Sequence, residues 1–154
     1  MSDYSKLIER YTSKLNKDPS SRVFAPLGEI YRKLGMYERA LLVFEGGIKF
    51  NPEYNLGLVG LAQCYFDLEQ FQRSYSTLKP FYKSNTDNYK FLHLYAESCE
   101  KLNLLEEALE AYKIALFLNP KDQKAANYVI SYEDAGKNSQ DTVIATKFEI
   151  DELD

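Results

Sequence analysis

The side chains with the greatest chemical potential in this chain are few and scattered. There is one histidine, His93, and there are two cysteines, Cys64 and Cys99. A zinc or redox site needs such groups clustered, as CxxC or as two histidines on one helix face. Neither spacing occurs, and both cysteines lie in apolar-periodic stretches, where buried, reduced thiols belong. Glu106 and Glu107 are adjacent acids that open a helical stretch, and carboxylates there favour the positive end of the helix dipole. They lack the desolvated enclosure that prepares a carboxyl for acid–base work. The glycines, Gly28, Gly35, Gly46, Gly47, Gly57, Gly60 and Gly136, make no dinucleotide or phosphate loop. No catalytic activity, metal site or cofactor is therefore expected.

What organises the chain is a repeat of 34 residues. Asn51-Pro52 and Asn119-Pro120 stand two such periods apart. One period after another, Phe24 maps to Leu58 and Leu92, Leu27 to Leu61 and Tyr95, and Gly28 to Ala62 and Ala96. Tyr31 maps to Tyr65 and Cys99, Ala40 to Ser74 and Ala108, and Phe44 to Leu78 and Tyr112. Large residues stay large and small ones stay small. Phe24, Leu27, Gly28 and Tyr31 form one stripe of a helix, and Ala40, Phe44, Gly47 and Ile48 form a second after the turn at Leu34-Gly35-Met36. The small columns let the two helices approach closely. Pro52 and Pro120 end the second helix. Each unit is thus an antiparallel helix hairpin whose apolar face is covered by its neighbours.

These columns resemble the tetratricopeptide repeat (TPR). The resemblance implies an all-α fold, a right-handed superhelical solenoid of helix hairpins, with repeats at 21–54, 55–88 and 89–122. The middle repeat departs from the pattern with Ser74, Phe81 and Thr86, and Pro80 inside its second helix is expected to kink or end that helix. Leu7, Tyr11, Leu15 and Pro19 repeat the second-helix spacing, so 4–19 reads as an orphan helix that covers the first repeat. Ala126, Val129 and Ile130 occupy first-helix core columns, so 123–135 reads as a capping helix ending near Gly136, with a TPR domain over 4–136 and a tail over 137–154.

In such a stack the first helices line a concave face, and the resemblance implies that this face binds a partner polypeptide. By register the first repeat offers Arg22, Glu29, Arg32 and Lys33 to it. The second offers Leu56, Val59, Gly60, Gln63 and Phe66, and the third Lys90, His93, Leu94 and Glu97, with Tyr128 added by the capping helix. Leu56, Val59, Phe66, Leu94 and Tyr128 make an apolar strip with a charged rim, as a peptide or helix groove does. Gly60 is expected to let a ligand backbone come close. Family members that hold acidic chaperone tails use a clamp of Lys, Asn and Arg. At those columns this chain has Ala25, Glu29, Gly60, Lys90 and Leu94, and Glu29 is expected to repel a carboxylate.

Charge narrows the partners further. Residues 141–154 hold five acids against Lys147 alone and so carry the whole net charge of −4, leaving the body balanced. A balanced body offers no basic footprint for nucleic acid or for an anionic membrane. No stretch approaches the ~20 apolar residues that span a bilayer, and no secretory signal is visible, so a cytoplasmic location is expected. The tail mixes Val143, Ile144, Phe148, Ile150 and Leu153 with acids, as an extended docking peptide does, and is expected to dock in its own groove or a neighbour's. The function expected is a non-catalytic adaptor or scaffold for a protein or peptide partner. The alternatives are a cytoplasmic three-repeat secretion chaperone and a module that self-associates through its tail.

Overall fold

A computed structural model of the chain describes residues 2–151, and the side chains of residues 4–140. Every regular element among them is helical. The α-helices are α1 (Ser2–Lys17), α2 (Phe24–Lys33), α3 (Tyr37–Phe50), α4 (Asn55–Asp67), α5 (Phe71–Leu78), α6 (Tyr89–Lys101), α7 (Leu105–Leu118) and α8 (Gln123–Asp151). Three hairpins, α2/α3, α4/α5 and α6/α7, stack on one another, with α1 against α2 and α8 against α7. The first helices α2, α4 and α6 also touch in sequence, so they form one wall.

The hairpin turns obey the 34-residue period. Gly35, Glu69 and Asn103 occupy the same column, and each adopts left-handed backbone, with φ of 73°, 59° and 58°. That conformation lets the chain return a hydrogen bond to the end of the helix just finished. Met36 N donates to Tyr31 O (2.9 Å), Gln70 N to Tyr65 O (2.8 Å) and Leu104 N to Cys99 O (2.9 Å). Three copies of one turn set three second helices antiparallel to their first.

The small columns perform the close packing their residue types suggest. Ala40, Ser74 and Ala108 are all fully buried, as are Ala62 and Ala96. Ser74 replaces alanine without leaving a bare hydroxyl. Its Oγ lies 2.9 Å from Ser98 Oγ, and Ser98 in turn donates to Leu94 O (2.8 Å), so Ser74 supplies the proton between them. Two apolar clusters meet across α4. Phe24, Phe44, Leu61 and Cys64 belong to one, and Ala62, Phe91, Tyr95, Cys99 and Tyr112 to the other. Pro80 acts as its chemistry requires: α5 stops at Leu78, and 3₁₀ turns at Lys79–Phe81 and Lys83–Asn85 carry the chain to α6.

The C-terminal helix departs from expectation. It does not end near Gly136 but runs unbroken from Gln123 to Asp151, so residues 137–151 are helical and not extended. Gly136 has no left-handed φ, and a glycine within a helix costs only about 1 kcal/mol relative to alanine, which weakens a helix without stopping it. No proline follows to end it. The helix is also rotated about its axis from the expected register. Ala125 is the buried residue, Val129 is half-buried and Ile130 is exposed. The side chains of Val143, Ile144, Phe148 and Ile150, and Leu153 as a whole, lie outside the described residues. No described helix is long and apolar enough to cross a membrane.

Candidate functional site

The wall of first helices encloses a cleft of about 1070 Å³. Val59 and Gly60 from α4 and Leu94 from α6 line it, with Ala25 and Pro26 from α2. Leu56, at the start of α4, projects into solvent at its mouth and is 65% exposed. Around this apolar floor stand Arg22, Glu29, Arg32, Lys33, Gln63, Lys90, His93 and Glu97, all placed there by register alone. Lys14 of α1, Tyr54 before α4 and Tyr89 at the start of α6 also line it, as do Ser21, Val23 and Phe44.

Two polar networks brace the wall. Arg32 grips Glu29 through two hydrogen bonds (Nε–Oε2 2.9 Å, Nη2–Oε1 2.7 Å) and reaches across to Asp67 in the next hairpin (3.0 Å). Gln63 donates to the other oxygen of Asp67 (2.9 Å). The bond to Glu29, outweighing burial, raises the Arg32 pKa, so Arg32 stays ionised. Glu29 is therefore held by Arg32, but it shares that one guanidinium with Asp67, so a single cation faces two acids there. In the second network His93 Nδ1 lies 2.7 Å from Glu97 and Nε2 lies 3.1 Å from Asp122. Lys124 meets Glu97 (2.9 Å) and the Tyr89 hydroxyl donates to Asp122 (2.8 Å). The hydrogen bond to Glu97 raises the His93 pKa against the opposing effect of burial. Burial works to raise the Glu97 carboxyl as well, but the bonds from His93 and Lys124 prevail and hold it low.

The remaining cations have no such partner. Lys14, Arg22, Lys33 and Lys90 make no ion pair among the described residues, although Arg22 lies over the Tyr54 ring at 4.7 Å. Five lysines and arginines thus line the cleft against Glu29 and Glu97, a positive surface on a chain of net charge −4. Both ring nitrogens of His93 are occupied by carboxylates, and burial pushes the Cys64 and Cys99 thiols up to about 12. Among the described residues no group of side chains has the make-up of a metal site.

A family model for tetratricopeptide repeats matches residues 25–53, and one for subunit 3 of the anaphase-promoting complex (cyclosome) matches residues 48–115. The chain is a TPR-repeat protein. Solved structures share the fold. MamA superimposes with a TM-score of 0.76 at 19% identity, over 88% of this chain and 80% of that one. The first TPR domain of Spaghetti (RPAP3), bound to the HSP90 peptide SRMEEVD, superimposes at 0.68 with 25% identity, over 76% of this chain and 93% of that one. YrrB, described as a TPR protein with an unusual peptide-binding site, gives 0.72 at 15% identity, over 79% of this chain and 63% of that one. No curated protein sequence matches the chain.

Three residues assigned to the TPR groove by register have other roles. Phe66 is outside the cleft. Its ring packs edge-on against Phe71 at 5.0 Å and joins the C-terminal core cluster. Tyr128 is outside as well, with its ring 4.8 Å from Tyr112 and its hydroxyl donating to Leu105 O (3.2 Å). The rotation of α8 moved it there. Gly60 does border the cleft, but its missing side chain makes room for Phe44: a Cβ would stand 2.3 Å from the Phe44 ring. Tyr54 and Tyr89 were missed because they lie at or beyond the ends of the first helices, where column spacing carries no information, and Lys14 because it belongs to α1, outside the first helices. The aromatic side chains flanking Asn55 and Asn88 were the available signal.

Proposed function

We propose that this TPR domain is a non-catalytic adaptor that seats a partner's polypeptide segment in the concave cleft. The observation that carries the reading is the pairing of apolar side chains at the cleft, exposed Leu56 and half-buried Val59, with three cations, Arg22, Lys33 and Lys90, that make no ion pair among the described residues. Cations left unpaired around an apolar groove suit a segment in which bulky residues alternate with acids. The similar structures of RPAP3 bound to an HSP90 peptide and of YrrB with its unusual peptide-binding site support it. The acids of the segment would meet the rim at Lys14, Lys33 and Lys90, since Glu29 and Arg32 are already joined.

Panning a displayed random-peptide library against the full chain tests the reading. Enriched peptides should combine acidic with aliphatic or aromatic residues, and their binding should shift backbone amide signals of α2, α4 and α6. Leu56→Asp removes a side chain that is mostly exposed in the free protein, so folding should survive. Loss of one buried leucine contact is worth roughly 1.5–3 kcal/mol, so affinity should fall about tenfold or more. Peptides that bind Leu56→Asp and wild type alike would place the site elsewhere. Selection of long, aggregation-prone client segments without acids would favour the chaperone alternative.

A further inference from the structure

We infer that the segment received by the cleft is residues 141–154 of a second copy of this chain, so that the protein associates head to tail. The inference rests on the groove reading above and adds the identity of the occupant. Its first support is charge. Residues 141–154 hold Asp141, Glu149, Asp151, Glu152 and Asp154 against Lys147, while the remaining 140 residues are balanced. The strongest acidic segment and the positive cleft therefore occur in the same molecule. Complementary patches of this kind steer association and fix its register.

Sequence chemistry gives the second support. Val143, Ile144, Phe148 and Ile150 are interleaved with those acids, and Ile144 and Phe148 are four residues apart. In a helix, residues at that spacing share a face, the arrangement by which an amphipathic helix lies in an apolar groove. Leu56 and Val59 offer the apolar counterpart, and Lys33 of α2 and Lys90 of α6 offer counterions.

Geometry decides between a molecule's own cleft and a neighbour's. Helix α8 packs on α7 through its first turns, and Tyr132 is the last residue along it that is even half-buried. Residues 133–140 are all exposed, and beyond Glu133, which still meets Lys113 of α7 (3.3 Å), the helix leaves the stack. At about 1.5 Å per residue the stretch from 133 to 151 reaches roughly 28 Å beyond it. A straight helix anchored on α7 at one end carries its far end along its own axis, away from the stack. Folding back would require a break, and residues 133–151 contain no proline, while Gly136 keeps ordinary helical backbone. A neighbour's cleft is open to the same helix without any break. Because donor and acceptor surfaces differ, the contact is heterologous and continues into a ring or a filament.

Sedimentation equilibrium of the full chain from 5 to 500 µM tests this. The weight-average mass should rise with concentration, and the association should weaken at least tenfold between 50 and 500 mM NaCl. Two full-length variants should each remain monomeric: Ile144→Asp/Phe148→Asp, which spoils the donor, and Leu56→Asp/Lys90→Glu, which spoils the acceptor. Mixed together they should form a complex that stops at two copies, since each retains the half that the other lacks. A full chain that stays monomeric at 500 µM, or donor variants that assemble as the wild type does, overturns the inference. If library peptides nevertheless bind at Leu56, the adaptor reading survives that failure. If they do not, both readings fall.

Discussion

Gly60→Ala adds one methyl group at the place where two hairpins meet, and its effect can be worked out from the packing. The new Cβ would stand 2.3 Å from Cε1 and 2.4 Å from Cζ of Phe44, where ordinary contact begins near 3.4 Å. The ring cannot retreat. On its other side lies Gly28, whose own Cβ position is 2.6 Å from Phe44 Cε2 and Cζ, and Phe24 meets it edge-on with centroids 6.4 Å apart. Phe44 is fully buried, so α2 and α4 must part by about an ångström or the ring must leave its rotamer. Overpacking of this severity costs up to about 3 kcal/mol, and alanine recovers about 1 kcal/mol over glycine through helix propensity. The expected net loss is about 2 kcal/mol, or a fall in Tm of roughly 4–8 °C at this chain length. Urea unfolding followed by circular dichroism measures it. Phe44→Leu should relieve the clash, giving the double variant a favourable coupling of at least about 1 kcal/mol. Gly136→Ala, where nothing lies within 4 Å, should instead stabilise slightly. If Gly60→Ala were as stable as the wild type and lost only peptide affinity, the glycine would be there for the ligand, and the packing argument would be refuted.

Two further expectations follow from the same physics. Glu69 sits in left-handed backbone (φ 59°) in the column that holds Gly35 in the first repeat, so Glu69→Gly should stabilise by about 1 kcal/mol and raise Tm by a few degrees; an unchanged or lower Tm would show that the turn carries no strain. His93, held between Glu97 and Asp122 and faced also by Lys124, Tyr89 and the edge of the Tyr112 ring, should titrate above its ordinary value of 6.5. A raised folded-state pKa contributes stability that is fully present below the unfolded value and lost as pH climbs through the folded one. The urea midpoint should therefore decline as pH rises from 6 to 8, and His93→Gln should remove that slope. A proton titration by NMR that places His93 at or below 6.5 would contradict the assignment.

The hairpins, their turns and most of the concave wall could be read from residue order because they depend on partners a few positions away. Phe24, Leu27 and Tyr31 declare a stripe, Gly35 a turn and Pro80 a stop, whatever surrounds them. Neighbours across the stack are a different matter. Arg32 reads as a partner for Glu29 alone, three residues away, until Asp67, 35 residues on and in the next hairpin, joins the same guanidinium. Gly60 reads as an opening for a ligand until Phe44 is found occupying it. Tyr128 changed faces because α8 settled with Ala125 buried and Ala126 only partly so. One residue along a helix is about 100° around it, so a register that only inter-helix packing can choose decides which side chains face the groove.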